Sequence, residues 1–226
     1  ANSFAQALEW TAEVYRHAGA LMRVRGGLHG VADEGGWWPA FATNEEALET
    51  LVAAIEAAGF VPGAEVAIAL DIAASDFGRG GRYTLGLERR ELDSDALIEL
   101  LLRWCERFPI ASIEDPLAED DPEAFARFTR AVGRRLQVVG DDFLVSSAEL
   151  LREAAAAGAA NAVLLKPNQR GTLTETRQCW EAARELGYAG IVSARSGETE
   201  DTTIVDLAIG WQVGQLKVGS FARGER

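Results

Sequence analysis

Five apolar runs in this chain each lead into a charged or strongly polar segment. Val-Ala-Ile-Ala-Leu at 66–70 runs into Asp71, Pro-Ile-Ala-Ser-Ile at 109–113 into Glu114, and Leu-Gln-Val-Val-Gly at 136–140 into Asp141. Ala-Val-Leu-Leu at 162–165 ends at Lys166, and Gly-Ile-Val-Ser at 190–193 stops just before Arg195. A sixth, weaker run at 213–216 ends at Lys217. From Glu114 the steps to Asp141, Lys166, Ser193 and Lys217 are 27, 25, 27 and 24 residues. Each step is long enough for one short strand and one covering helix. That alternation implies a parallel sheet buried on both faces. In a closed parallel barrel all strand C-termini open onto one face, where reactive groups collect. Three acids and two lysines are thereby expected at one mouth, which is the pattern of an enzyme.

Local signals fill in the elements. Apolar residues at helical spacing (Phe4, Leu8, Trp10, Val14, Tyr15) predict a helix over 3–22. A glycine-bearing loop over 26–36 follows, holding Asp33 and Glu34. Thr43 and Glu46 form a capping-box signature that opens a helix to about Ala58. Residues 78–81 read as a loop and 82–85 as a short strand. Helices are then expected over 94–107, 121–132, 147–157, 172–186 and 201–210, and strands over 109–113, 136–139, 162–165, 190–193 and 213–217. No linker interrupts the series, so residues 1–226 form a single domain. The count is six or seven barrel strands against the eight that closure requires, which reads as an incomplete barrel.

Composition limits the function classes. A net charge of −13 excludes a nucleic-acid footprint, which needs a basic surface. It leaves room for an anionic substrate, because a few cations in one cleft can reverse the local field. No apolar run reaches the length of a membrane span, and the N-terminus has no signal-peptide pattern. The two cysteines, Cys105 and Cys179, fall in helical segments and read as free thiols of a cytoplasmic protein.

The chemistry follows from residue types. Asp71, Glu114 and Asp141 are single carboxylates on three strands, a donor set suited to Mg²⁺. The two histidines, His17 and His29, lie far along the chain from all three, which speaks against zinc. The competing reading is that each acid caps the helix after it. Lys166, projecting into a partly desolvated mouth, suits a general base, or else it is a surface lysine or a structural ion-pair partner. Lys217 offers a second positive charge and Glu34 an opposing acid. Arg195 and Ser196, before a helix start, suit phosphate or carboxylate oxygens.

Taken together, the motifs resemble the barrel domain of the enolase family. The matching segments are Asp33-Glu-Gly-Gly36, Leu70-Asp-Ile-Ala-Ala-Ser75, Ser112-Ile-Glu-Asp-Pro116, Gly140-Asp-Asp142, Leu164-Leu-Lys166 with Asn168-Gln169, Arg195-Ser-Gly-Glu-Thr-Glu-Asp201 and Gly214-Gln-Leu-Lys217. The resemblance covers essentially the whole chain in order. It implies an enolase-type α/β TIM-like barrel, ββαα(βα)6, incomplete in this sequence and without the family's N-terminal α+β capping domain. It further implies Mg²⁺ held by Asp71, Glu114 and Asp141, Lys166 as the base taking the proton α to a carboxylate, and Glu34 helping to expel the hydroxyl. Arg195 and Ser196 would bind phosphate, and Lys217 would face the substrate carboxylate. The implied reaction converts 2-phospho-D-glycerate to phosphoenolpyruvate and water, in a homodimer with no nucleic-acid or membrane partner.

Several positions depart from the family pattern. Ala194 stands where histidine is typical, Pro167 where valine is usual, and Arg170 where isoleucine is normal. Trp37-Trp38 and Pro39-Ala40 replace smaller residues and Pro-Asn, and the last motif reads Arg223-Gly-Glu-Arg226. They motivate an alternative, a divergent homologue acting on a related phosphonate or phosphoester, similar to carboxyphosphonoenolpyruvate synthase, with Arg170 meeting an added anionic group. A third reading is an inactive barrel kept as a binding protein. Retention of three inward acids and two lysines opposes it, since uncompensated buried charge destabilises a fold.

Overall fold

The computed structural model describes residues 1–224 and 226. It opens with helix α1 (Phe4–Val24), the hairpin strands β1 (Leu28–Val31) and β2 (Trp37–Pro39), and helix α2 (Asn44–Ala57). Strand β3 (Ile68–Asp71) leads through one 3-10 turn (Ala74–Asp76) to β4 (Gly78–Arg79), β5 (Arg82–Leu85) and β6 (Arg90–Asp93). The alternating part then runs α3 (Ser94–Arg107), β7 (Ile110–Glu114), α4 (Pro122–Val132), β8 (Gln137–Gly140), α5 (Ala148–Ala157) and β9 (Ala162–Leu165). A short α6 (Pro167–Arg170) precedes α7 (Leu173–Leu186), β10 (Ala189–Ser193), α8 (Thr203–Gly210) and β11 (Leu216–Lys217).

Among the described residues the main sheet is parallel, with six strands in the order β11-β10-β9-β8-β7-β3. It curls so far that its two edge strands meet across the mouth, where the side chain of Lys217 on β11 reaches Asp71 on β3. The fold is a half-closed barrel, as the alternation predicts. Its strands show why both faces must be apolar. Leu164 and Ile191, paired in register, pack with Val139 and Ala162 on the inner face of the curl. Their neighbours Val163, Leu165 and Val192 face outward into the larger core shared with the helices.

Three features differ from the sequence reading. The loop expected over 26–36 contains half of a hairpin, because the Trp37 indole lies on α1. It stacks on Tyr15 at 4.5 Å and donates to the Tyr15 carbonyl at 2.8 Å, and this pins β2 in extended form. The segment around 78–93 is a three-stranded antiparallel sheet, β4-β5-β6. Its third strand carries too few apolar residues to show an alternating pattern. The chain after Lys166 coils once as α6, which Pro167 favours at a first helical position.

Helix starts are set by side-chain caps from Ser3, Thr43, Asp93, Asp121, Ser147 and Thr172, each contributing about 1 kcal/mol. None of Asp71, Glu114 and Asp141 caps a helix, so the competing reading of these acids falls. At the N-terminal ends of the strands, Asn161 staples neighbouring segments. Its Oδ1 accepts from Val138 N at 2.7 Å and its Nδ2 donates to the carbonyls of Gly133 and Leu136 at 3.0 Å. Thr129 Oγ1 accepts from Ala160 N beside it. Both cysteines are free and buried. Among the described residues no helix is long and apolar enough to cross a membrane.

Gly190 lets α7 approach β10 closely. A Cβ there would lie 2.5 Å from the Trp180 ring, whose Nε1 donates to the Trp211 carbonyl. Gly190→Ala is expected to cost about 1–3 kcal/mol by overpacking, read as a fall in thermal midpoint of several degrees.

Candidate active site

The strand ends deliver their polar residues to one place. Asp71 and Glu114 are the last residues of β3 and β7, while Asp141 and Lys166 each follow the last residue of β8 and β9. Lys217 is the last residue of β11. Its Nζ donates to Asp71 Oδ2 and Glu114 Oε1, both at 2.7 Å. Lys166 Nζ donates to Asp141 Oδ2, and Asp141 Oδ1 accepts from Gln169 Nε2 at 3.2 Å. The three acids thus end three neighbouring strands, β8, β7 and β3, and a lysine flanks them on either side, Lys166 after β9 and Lys217 on β11 across the open edge.

Burial is what makes the cluster electrostatically demanding. Glu114 is only 5% exposed. Burial, with the charge of Asp71 adding to it, raises its carboxyl well above the ordinary range despite Lys217. Burial alone would lower the Lys217 ammonium, but Glu114 and Asp71 outweigh that and hold it above its usual value. Burial also raises Asp142, reinforced by Asp141 and partly offset by Lys166 and Arg195. Arg195 therefore belongs to the same local field, as its position after β10 implies.

A cavity of about 550 Å³ lies beside the cluster, between α1 and the converging edge strands. Asp71, Glu114, Lys217 and Glu34 all line it. Glu34 gets there because its loop is clamped to the segment after β11. Ser220 N donates to the Glu34 carbonyl at 2.7 Å, and Tyr15 Oη to the Gly35 carbonyl at 2.9 Å. Gly219 makes the clamp possible: its φ of +111° suits glycine, and a Cβ there would lie 2.5 Å from the Glu34 carbonyl oxygen.

One predicted binding residue goes elsewhere. Arg170 ends α6 and its guanidinium pairs with Glu175 at 3.3 Å, beside α7 instead of joining the cluster. Ser196 lies in the β10–α8 loop, next to Arg195, as expected.

The structure also brings in residues that the sequence reading gave no role. Asp115, 3% exposed and at a positive φ of 39°, accepts from the backbone N–H groups of Asp141 and Asp142 at 2.9 and 2.7 Å. It fixes the turn that presents Asp141. Burial pushes its carboxyl up to about 7, against the pull of those two N–H bonds. Ser146 Oγ accepts from Lys166 N at 2.9 Å and bonds the Leu164 carbonyl, holding the base of the Lys166 side chain. The available signal for Asp115 was its place beside Glu114 before a proline. Ser146 had none.

Among the described residues no three acidic, imidazole or thiol groups are gathered as a ready cage for a metal ion. The physical reason is visible: Lys217 stands between Asp71 and Glu114, and Lys166 engages Asp141. The donor set itself, all carboxylate oxygen, fits a hard divalent cation. Burial first, and then the charge of Asp71, disfavours ionisation of Glu114, and a bound cation would favour its ionised form.

A family model described as the C-terminal TIM barrel domain of enolase matches residues 1–226. A curated enolase of Rubrobacter xylanophilus (strain DSM 9941 / JCM 11954 / NBRC 16129 / PRD-1) is 46% identical over 225 residues, covering 100% of this chain and 52% of that protein. The chain spans about half the length of that curated relative.

Proposed function

Because the chain belongs to the enolase family and matches its C-terminal barrel domain, we propose that the cluster serves the Mg²⁺-dependent elimination of water from 2-phospho-D-glycerate to give phosphoenolpyruvate. The observation that carries this reading is the convergence of three carboxylates, flanked by two ammoniums, from the ends of five strands beside a cavity that Glu34 also lines. Asp71, Glu114 and Asp141 would hold the cation. When bound, Mg²⁺ supplies positive charge that offsets the second negative charge developing on the substrate carboxylate.

The chain's own residues do the rest. The proton α to a carboxylate is very weakly acidic, so its removal needs both a placed base and fixed positive charge. Lys166 Nζ takes that proton. A base needs a free lone pair, so Lys166 acts as the neutral amine, which can still donate an N–H to Asp141. Glu34 protonates the leaving hydroxyl, which departs as water as the carbon–carbon double bond forms. Lys217 faces the carboxylate side, and Arg195 with Ser196 binds the phosphate oxygens. The same family membership carries the expectation of a homodimer, which sedimentation of the full-length protein would check.

The direct test gives full-length protein 2-phospho-D-glycerate with Mg²⁺ and follows the ultraviolet absorbance of the enol product. A rapid rise supports the reading. No rise, with Mg²⁺ still binding by calorimetry, overturns this substrate. Gly219→Ala offers a finer check on Glu34: it is expected to lower kcat while Mg²⁺ affinity holds, because strain at that φ displaces the loop carrying the acid.

A second reading, action on a related phosphonate or phosphoester, has one observation in its favour. Ala194 lines a further cavity of about 150 Å³ next to the first, which has room for an added substituent. Arg170, the other residue that motivated it, pairs with Glu175 in this structure.

A further inference from the structure

We infer that Arg226 is a positioning residue for the anion-binding loop, an assignment that rests on the phosphate-binding role proposed for Arg195 and Ser196. Its guanidinium donates to four backbone carbonyls. Nη1 bonds Arg195 O at 3.2 Å and Val218 O at 2.8 Å, and Nη2 bonds Ser196 O at 3.1 Å and Glu198 O at 3.2 Å. Both terminal nitrogens therefore use all their hydrogens on backbone, and Nε, buried, has no partner among the described residues.

Three of the four acceptors belong to one loop, residues 195–198, which joins β10 to α8. The fourth follows Lys217 directly. Among the described residues the loop has one other side-chain tie from elsewhere, Asn168 Nδ2 donating to Glu198 Oε2 at 3.4 Å. Within it a single backbone bond closes the turn, from Glu198 N to Arg195 O, and Gly197 adds freedom at its centre. The planar fork of a guanidinium matches this set of diverging carbonyls, and an ammonium with three donors on one atom does not. Arg226 thus fixes the Arg195–Ser196 turn relative to Lys217, so that the two anion-facing groups keep one spacing. Arg226 itself need not touch the substrate.

The assignment predicts a selective defect. In the full-length enzyme, Arg226→Ala is expected to raise KM for 2-phospho-D-glycerate and weaken inorganic phosphate binding in calorimetry about tenfold or more, the scale of losing charge-assisted hydrogen bonds. Mg²⁺ affinity should stay as in wild type, because the three carboxylates lie on other elements. Arg226→Lys should recover only part of the phosphate affinity. Guanidinium ion at sub-denaturing concentration should improve phosphate binding in Arg226→Ala and leave wild type unchanged. A merely structural role would move Mg²⁺ affinity and thermal midpoint together with KM, and would overturn the assignment. Unchanged phosphate affinity in Arg226→Ala would do so too. If that variant does not fold, Arg226→Lys decides, and a wild-type KM and phosphate affinity there sinks the proposal. A wild-type enzyme inert toward 2-phospho-D-glycerate would count against the proposed reaction alone, and the phosphate affinities would still decide about Arg226.

Discussion

Replacing Lys166 by alanine is expected to lower kcat for 2-phospho-D-glycerate by about 10²–10⁴-fold, the usual contribution of a positioned general base. Geometry supports so large an effect. Lys166 is 9% exposed, its backbone is tied by Ser146, and its ammonium contacts Asp141 from the neighbouring strand end. Few waters can substitute for it as base at such a depth. KM and Mg²⁺ affinity should change far less, because removing the ammonium frees Asp141 from a competing cation. Exchange of the α-proton with solvent deuterium should vanish along with turnover. Retention of turnover within tenfold of wild type would remove Lys166 from the proposed chemistry.

The second large effect concerns stability. Lys217→Met should destabilise the metal-free protein by about 2–3 kcal/mol, because it leaves Glu114 buried without a counter-charge. The figure stays at the low end because Lys217 itself is one-third exposed and partly screened by solvent. At roughly 2–4 °C per kcal/mol for a domain of this size, the thermal midpoint should fall by about 4–12 °C. Mg²⁺ should recover most of that loss if the three carboxylates hold it, since binding to the folded state alone adds stability. A midpoint that falls equally with and without Mg²⁺ would show that the acids do not share a cation. Activity should not recover, as the charge proposed to face the substrate carboxylate is gone.

The difference between these two lysines shows what the sequence could and could not carry. Asp71, Glu114, Asp141, Lys166 and Lys217 were legible because each stands at the end of an apolar run, and period-regular strands force run ends onto one face. The partners of each were not legible. Lys217 meets Asp71 only because the sheet curls until its edges face each other, and curl is a property of the whole sheet, not of any segment. Asp115 was hidden for a similar reason: its carboxylate serves backbone amides 26 and 27 residues away. The hairpin at Trp37 escaped because the indole is held by α1, a contact local patterning cannot show. The partner of Arg170 was not legible either, since its guanidinium meets Glu175 on the following helix.

Asn161 and its carbonyl partners hold the far ends of the strands, a full strand length from the cavity. The scaffold is thus anchored at one end and equipped at the other. A lineage carrying this domain can exchange residues such as Ala194 or Pro167 around the mouth while the anchoring network is untouched. Substrate preference can therefore wander through variants that all still fold, and selection can test new chemistries without first rebuilding the frame.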